Sequence, residues 1–424
     1  MTTAPLSTHH ADAFAEAASA ALDRLRKVTA GLLESIPNLD PARPVDVANA
    51  LGLDLKLAWR MFRLARAADP FEGARHVPGA VGYRIWTEAA AAHAAPKALV
   101  REAGEAYAQL QEVIDRFAGS RKAFDLMIAG LASTDGDTRL AFEHRRQMFL
   151  GASYVWGIQS RANFRCDIVA PSGEAGRLDL VSIRGIVGLR RLRPEVSWRF
   201  RTAVSIDDKG NLRLIPDRRP VDDRASDPER LAPPLLEEFC TEPLPNFRAH
   251  DLGGGWVEFE ACGGDVGREG EQTIVVAEVI RGHETIVRTD EFHGFHHLFT
   301  LRTPTELGVF DILCHRDVFG SEGEFDLVHN SDLHHCAVRE GRPHRSCDRL
   351  PGPAHPDRLG RGLDRAGMRE IPFYDEMLAK VFAKVGWSPD QFELHRARVP
   401  FPAIPSTIVY EREFPDRDRA TLED

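Results

Sequence analysis

Near residue 160 the chain changes the period of its hydrophobic pattern, and no other feature constrains the fold as much. Before that point apolar side chains recur at spacings of three and four. After it they alternate, the period of a half-buried strand. Phe14, Ala17, Ala21, Leu25, Val28 and Leu32 predict an amphipathic helix over 11–36. Pro37, Pro41 and Pro44 interrupt it, and shorter helical segments follow at 45–51 and 54–67, stopped by Asp69-Pro70. The stretch FEGARHVPGAVGYRIW combines glycine and proline with alternating Val81, Tyr83 and Ile85, which predicts a hairpin or an extended arm at 73–86. A long helix starts near Pro96; its seam of Leu99, Ala103, Ala106, Leu110, Val113 and Phe117 is short and suits intramolecular packing better than a dimeric coiled coil. Ser120 caps a helix reaching Leu131, and a last helix of this part covers 138–156.

Beyond residue 160, FRCDIVA, RLDLVSIRGIVGL, VSWRFRTAVSI, NLRLIP, WVEFEA, TIVVAEVI, HHLFTLRT and GVFDILCH read as strands, with a hairpin turn at Asp208-Lys209-Gly210-Asn211. Residues 216–236 and 341–367 read as long exposed loops. A helix following Pro372 ends at Gly386, Ser388 and Gln391 have capping-box spacing, and 396–414 reads as a final extended segment with an edge-type proline pattern. The expected class is α+β: a domain at 1–95, a helical connector or dimerisation region at 96–158, and a sheet-rich domain at 159–424.

Composition narrows the function classes. With 43% hydrophobic and 28% charged residues, the 424-residue chain resembles ordinary folded proteins. No run of 18 apolar residues and no leader-like N-terminus occur, so no membrane association and a cytoplasmic location are expected. The six cysteines form no CxxC pair, and reduced thiols are expected. The net charge of −10 argues against a chain coated in nucleic acid. Its distribution is uneven, because 43–84 carries Arg43, Lys56, Arg60, Arg63, Arg66, Arg75 and Arg84 against only Asp46, Asp54, Asp69 and Glu72.

In that positive segment, PVDVANALGLDLKLAWRMFR (residues 44–63) resembles the helix-turn-helix of bacterial transcription regulators. Ala48 is small enough for a close helix crossing and Gly52 suits the turn. Val47, Leu51, Leu53, Ala58 and Met61 fall at core positions, and Asp54 can cap the second helix. The resemblance implies that the second helix enters the major groove, with Lys56, Arg60 and Arg63 toward DNA and Arg66 and Arg75 at the backbone. The arm at 73–86 then stands as the wing of a winged variant. Useful affinity calls for a homo-oligomer, because few phosphate contacts bind weakly.

Ten of the 17 histidines fall between His283 and His355. His293, His296, His297, His315 and His335, with Cys314 and Cys336, are the candidate ligands for zinc or a similar ion, although no HExxH or paired CxxC spacing supports one. Phosphate-binding GxxxxGK[ST], GxSxG and GxGxxG motifs are absent, and His315-Arg316-Asp317 lacks the asparagine a kinase loop needs, Glu322 standing there. The preferred expectation is a DNA-binding regulator-like protein, more a non-enzyme than an enzyme, whose C-terminal region senses a ligand or assembles subunits. The alternatives are an assembly protein using its helical region for protein contacts, and a metal-dependent enzyme built on the histidine stretch.

Overall fold

The computed structural model describes residues 8–36, 43–131, 138–201, 205–206, 212–213, 218–222, 233–253, 256–285, 294–318, 324–329, 350 and 357–413. The chain divides into two compact units, Met1–Ala141 and Phe142–Asp424. The first is helical and the second sheet-rich, an α+β chain.

The N-terminal unit comprises α1 (Thr8–Ser35), α2 (Pro44–Leu51), α3 (Leu55–Ala65), α4 (Pro70–Ala74), α5 (Ala80–Ala92), α6 (Lys97–Phe117) and α7 (Arg121–Leu131). Of the periodic residues of α1, Phe14, Ala21, Leu25, Val28 and Leu32 are buried and Ala17 is half-buried; Ala18, Leu22 and Leu33 widen the buried stripe. The α6 seam lies against α1, so its heptad spacing is used inside the chain. Phe124 of α7 joins the same core, where Phe14 meets its ring edge-on at 6.0 Å. Helices expected in a separate connector from residue 96 therefore share one core with α1–α5, and the cut between units falls at 141/142 rather than at 95 and 158.

The stretch at 73–86 forms no hairpin and no wing. It holds the end of α4 and the start of α5. Gly79 is the N-cap of α5, and the helix buries Tyr83, Trp86 and Ala90. Val81 and Ile85, which made the strand-like alternation, are 64% and 43% exposed.

The C-terminal unit carries α8 (Thr138–Trp156, in this unit from Phe142), then β1 (Ile158–Pro171), β2 (Arg177–Arg191), β3 (Trp198–Arg201), β4 (Ser205–Ile206), β5 (Leu212–Arg213) and β6 (Arg218–Pro220). There follow β7 (Asn246–Gly253), β8 (Trp256–Cys262), β9 (Gln272–Thr285), β10 (Gly294–Leu301), β11 (Thr305–His315), β12 (Glu324–His329), β13 (Asp357–Arg361), α9 (Tyr374–Val385), β14 (Phe392–Pro400) and β15 (Ser406–Glu413). Seven strands make the main sheet, in the order β13-β14-β11-β1-β2-β9-β6, with only β1 and β11 parallel.

Alternation sorts the main sheet's faces. Phe164, Cys166, Ile183, Val275, Leu313 and Leu394 pack with Met377, Leu378, Val381 and Phe382 of α9. The opposite face is covered by two small sheets: β10-β15-β12 over Val169, Leu180, Ile280 and Phe310, and β3-β8-β7 over Ile186, Leu189, Ile274 and Val276. Gly185, opposite Phe164 in the β1–β2 register, is required on the helix-covered face, because a Cβ there would lie 2.2 Å from the Phe164 ring. Under α9, Asp311 takes two hydrogen bonds from the Arg396 Nε and one from its Nη2 at 2.8–3.2 Å, and one from the Tyr374 hydroxyl at 2.8 Å. Arg396 Nη2 also donates to the Ala366 carbonyl at 2.7 Å, so this buried pair is paired and hydrogen-bonded.

Both expected loops contribute structure. The segment 216–236 supplies β6 and buries Val221, Leu235 and Leu236, while 341–367 supplies β13 at the sheet edge; 223–232, 341–349 and 351–356 lie outside the described residues. The expected turn at Asp208–Asn211 also lies outside them, between the antiparallel strands β4 and β5. The segment 396–414 is not an edge: β14 lies between β13 and β11, and β15 between β10 and β12. Pro402 and Pro405 fall in the connection between these strands, where no ladder donor is needed.

Candidate functional site

The positive segment of the sequence becomes two helices joined by a tight turn. Gly52 closes α2 in the left-handed conformation at φ 61°, and its N–H and that of Leu53 return to the Ala48 carbonyl. Asp54 then caps α3, its carboxylate accepting from the N–H groups of Lys56 at 2.9 Å and Leu57 at 3.3 Å. Val47, Ala48, Leu51, Ala58 and Met61 are buried, and Leu53 packs on the same core, so the positions read as core are core.

Successive helical residues turn by about 100°, so α3 has distinct faces. Ala58, Met61, Leu64 and Ala65 point inward. The opposite face exposes Lys56, Trp59, Arg63 and Arg66. The Arg63 guanidinium lies 5.8 Å from the Trp59 ring and that of Arg66 5.1 Å from the Phe62 ring. Arg60 departs from its expected outward position. It is half-buried and donates to the carbonyls of His76 at 3.3 Å and Val77 at 2.7 Å, tying α3 to the segment after α4. Burial, with Arg121 nearby, lowers its pKa.

Arg75 follows α4, half-exposed and 3.7 Å from Glu72. It joins Arg63 and Arg60 around His76, a buried imidazole whose ring meets that of Trp59 edge-on at 5.2 Å. Burial first, then Arg75 and Arg63, push the His76 pKa down to about 4 against the opposing pull of Glu72. Its neutral ring thus supports the exposed face of α3 from beneath.

Of the histidine stretch, the side chains of His297 and His315 are described. The His297 Nδ1 hydrogen-bonds Asp167, and the ring is buried. His315 has both nitrogens engaged, Nε2 with Gln391 Oε1 at 2.7 Å and Nδ1 accepting from the Asp317 N–H at 3.2 Å. The side chains of His293, His296 and His335 lie outside the described residues. Among the described residues no three His, Cys, Asp or Glu side chains form a group able to hold a metal ion, and no helix is long and apolar enough to cross a membrane.

Sequence reading missed a polar band on the main sheet's face between the two small sheets. The register sets Arg165 opposite Arg184, Asp167 opposite Ser182, and Ser182 opposite Glu278. Asp167 accepts from Ser182 Oγ at 2.8 Å and from Arg165 Nε, and Glu278 pairs with Arg184 at 3.1 Å and Arg218 at 3.4 Å. Burial alone would raise the Asp167 carboxyl, but Arg165 and His297 outweigh it and hold it below the usual range. No local motif marks these residues, because pairing of β1, β2, β9 and β6 gathers them from positions 165–278. Comparison of the chain with models of protein families, with curated proteins and with solved structures gave no match.

Proposed function

We propose that the protein binds duplex DNA through α3, as a regulator-like protein whose C-terminal unit senses a ligand or assembles subunits. One observation carries this reading: Lys56, Trp59, Arg63 and Arg66 recur at helical spacing on the exposed face of a helix that follows a glycine-centred turn. From Lys56 to Arg66 the helix axis advances about 15 Å, comparable with the roughly 12 Å width of the major groove. Lys56, Arg63 and Arg66 then meet phosphates along the groove walls, while Trp59 faces the base edges between them. Arg60 keeps α3 in place and Arg75 adds positive potential at the flank. Three phosphate contacts bind weakly, so two copies of the chain act together on one site.

Fluorescence anisotropy with mixed-sequence duplex DNA tests the reading by comparing the wild type with Arg63→Ala/Arg66→Ala, its fold checked by circular dichroism. Binding by the wild type that weakens in the variant supports it, and equal binding by both overturns it. A second reading, protein assembly, is favoured by the end of α8, where Leu150, Tyr154, Val155 and Trp156 are 50%, 82%, 67% and 55% exposed. Sedimentation velocity on DNA-free protein tests it: mass rising with concentration supports assembly, and a monomer at all concentrations opposes it.

A further inference from the structure

Only the inward face of α8 is covered. Phe149 and Ser153 are buried there, the Ser153 hydroxyl donating to the Phe149 carbonyl at 2.7 Å, and the rings of Phe142 and Phe149 meet that of Phe401 at 5.1 and 5.3 Å. The end of the helix is held as well: the Gly157 N–H donates to the Ser153 carbonyl at 2.8 Å, and Arg193 Nη2 to that of Val155 at 2.9 Å. The outward face is thus presented on a helix fixed to the C-terminal unit.

That face carries Gln147, Met148, Gly151, Tyr154 and Val155, all exposed and spaced i, i+1, i+4, i+7, i+8. Leu150 borders it and Trp156 extends it at the helix end. The exposed parts of Met148, Leu150, Tyr154, Val155 and Trp156 amount to about 600 Å², at the upper end of what a monomer shows and the larger part of the roughly 800 Å² each partner buries in a standard interface. In the middle stands a glycine, which weakens a helix interior. Nothing within the chain requires it, because a Cβ at Gly151 would meet no atom within 4 Å. Gly104 of α6 is equally unobstructed, but Arg101 and Glu105 beside it are charged and pair with each other at 3.7 Å. At Gly151 the open space is bordered by apolar side chains.

We propose that a second copy of the chain docks on this face, α8 against α8, antiparallel and crossing at Gly151. A two-fold axis there makes the patch its own complement, the requirement of an isologous interface. Met148 then faces the partner's Tyr154, a sulfur-to-ring contact, and Gln147 faces the partner's Val155. The two glycines meet at the crossing, where the missing side chains let the helix axes approach closely. The inference rests on the assembly reading above and gives it a partner and a surface.

Sedimentation velocity over a concentration series on the DNA-free full chain tests it, wild type against Gly151→Leu. Leucine favours a helix over glycine, so the variant keeps its circular dichroism while its side chain fills the crossing. Self-association weakened at least about tenfold is expected, the worth of overpacking a close contact. Gly173→Leu, at an exposed glycine between β1 and β2 with open space around it, leaves self-association unchanged. Gly151→Cys treated with oxidised glutathione identifies the partner: a disulfide-linked dimer is expected in excess of that formed by the wild type or by Gly173→Cys. A wild type that stays monomeric at all concentrations overturns this inference and the assembly reading together. Self-association that Gly151→Leu leaves intact, or a Gly151→Cys that gives no such dimer, overturns the crossing alone and leaves assembly through another surface standing.

Discussion

Acidification from pH 7 to pH 4 is expected to destabilise the N-terminal unit through one side chain, His76. The ring is only 7% exposed, its Nε2 is buried without a hydrogen-bond partner, and Arg60, Arg63 and Arg75 surround it. The folded chain therefore holds the imidazole neutral to about pH 4, whereas an unfolded histidine protonates near its ordinary value of 6.5. Between those values the unfolded state binds more protons, so stability falls as pH falls, from the unfolded pKa down to the folded one. The difference amounts to about 2 kcal/mol at pH 5 and about 3 kcal/mol at pH 4, at 1.36 kcal/mol per pKa unit. Urea unfolding followed at 222 nm, where the helical unit dominates, measures it at a series of pH values. His76→Phe keeps an aromatic edge toward Trp59 and lacks the titrating group, so its stability is expected to stay flat from pH 7 to pH 5. Parallel pH profiles for wild type and variant would refute the reasoning.

Other perturbations separate support from function. Asp311→Ala strands the Arg396 guanidinium under α9 and is expected to cost about 3–5 kcal/mol, while Asp311→Leu/Arg396→Met recovers most of it; denaturant unfolding of the two variants reads the difference. Arg60→Ala removes the donors to the His76 and Val77 carbonyls, and a loss of about 1–2 kcal/mol in urea unfolding is expected, with no change in the salt slope of DNA binding.

The parts of the fold written in short-range pattern are open to sequence reading. The threefold and fourfold spacing of α1, the seam of α6 and the glycine turn between α2 and α3 each follow from neighbours within about two turns of helix. At 73–86 Val81, Tyr83 and Ile85 alternate like a strand, yet the segment is helical from Ala80. Tyr83, Trp86 and Ala90 carry the competing helical period, and burial follows them while Val81 and Ile85 face solvent. The prolines of 396–414 suggested an edge strand, but two of them serve the connection between two interior strands. The outward placement of Lys56, Arg63 and Arg66 on α3 is legible because their spacing is local. The inward turn of Arg60 is not legible locally, because its acceptors, the carbonyls of residues 76 and 77, come from a segment whose path no local pattern fixes. The arginine band is harder still: it exists only once strand register sets Arg165 against Arg184 and brings Arg218 to Glu278.

The measurement that bears most directly on the central claim is the salt dependence of DNA binding, wild type against Arg63→Ala/Arg66→Ala. Three phosphate contacts from Lys56, Arg63 and Arg66 predict a log–log slope of about −2.7 per subunit, an affinity loss of about 40-fold between 50 and 200 mM salt. Removing two of them predicts a slope of about −0.9 and a loss of only about 3.5-fold over the same range. A wild type that binds no DNA at low salt, or a variant with the wild-type slope, contradicts the account.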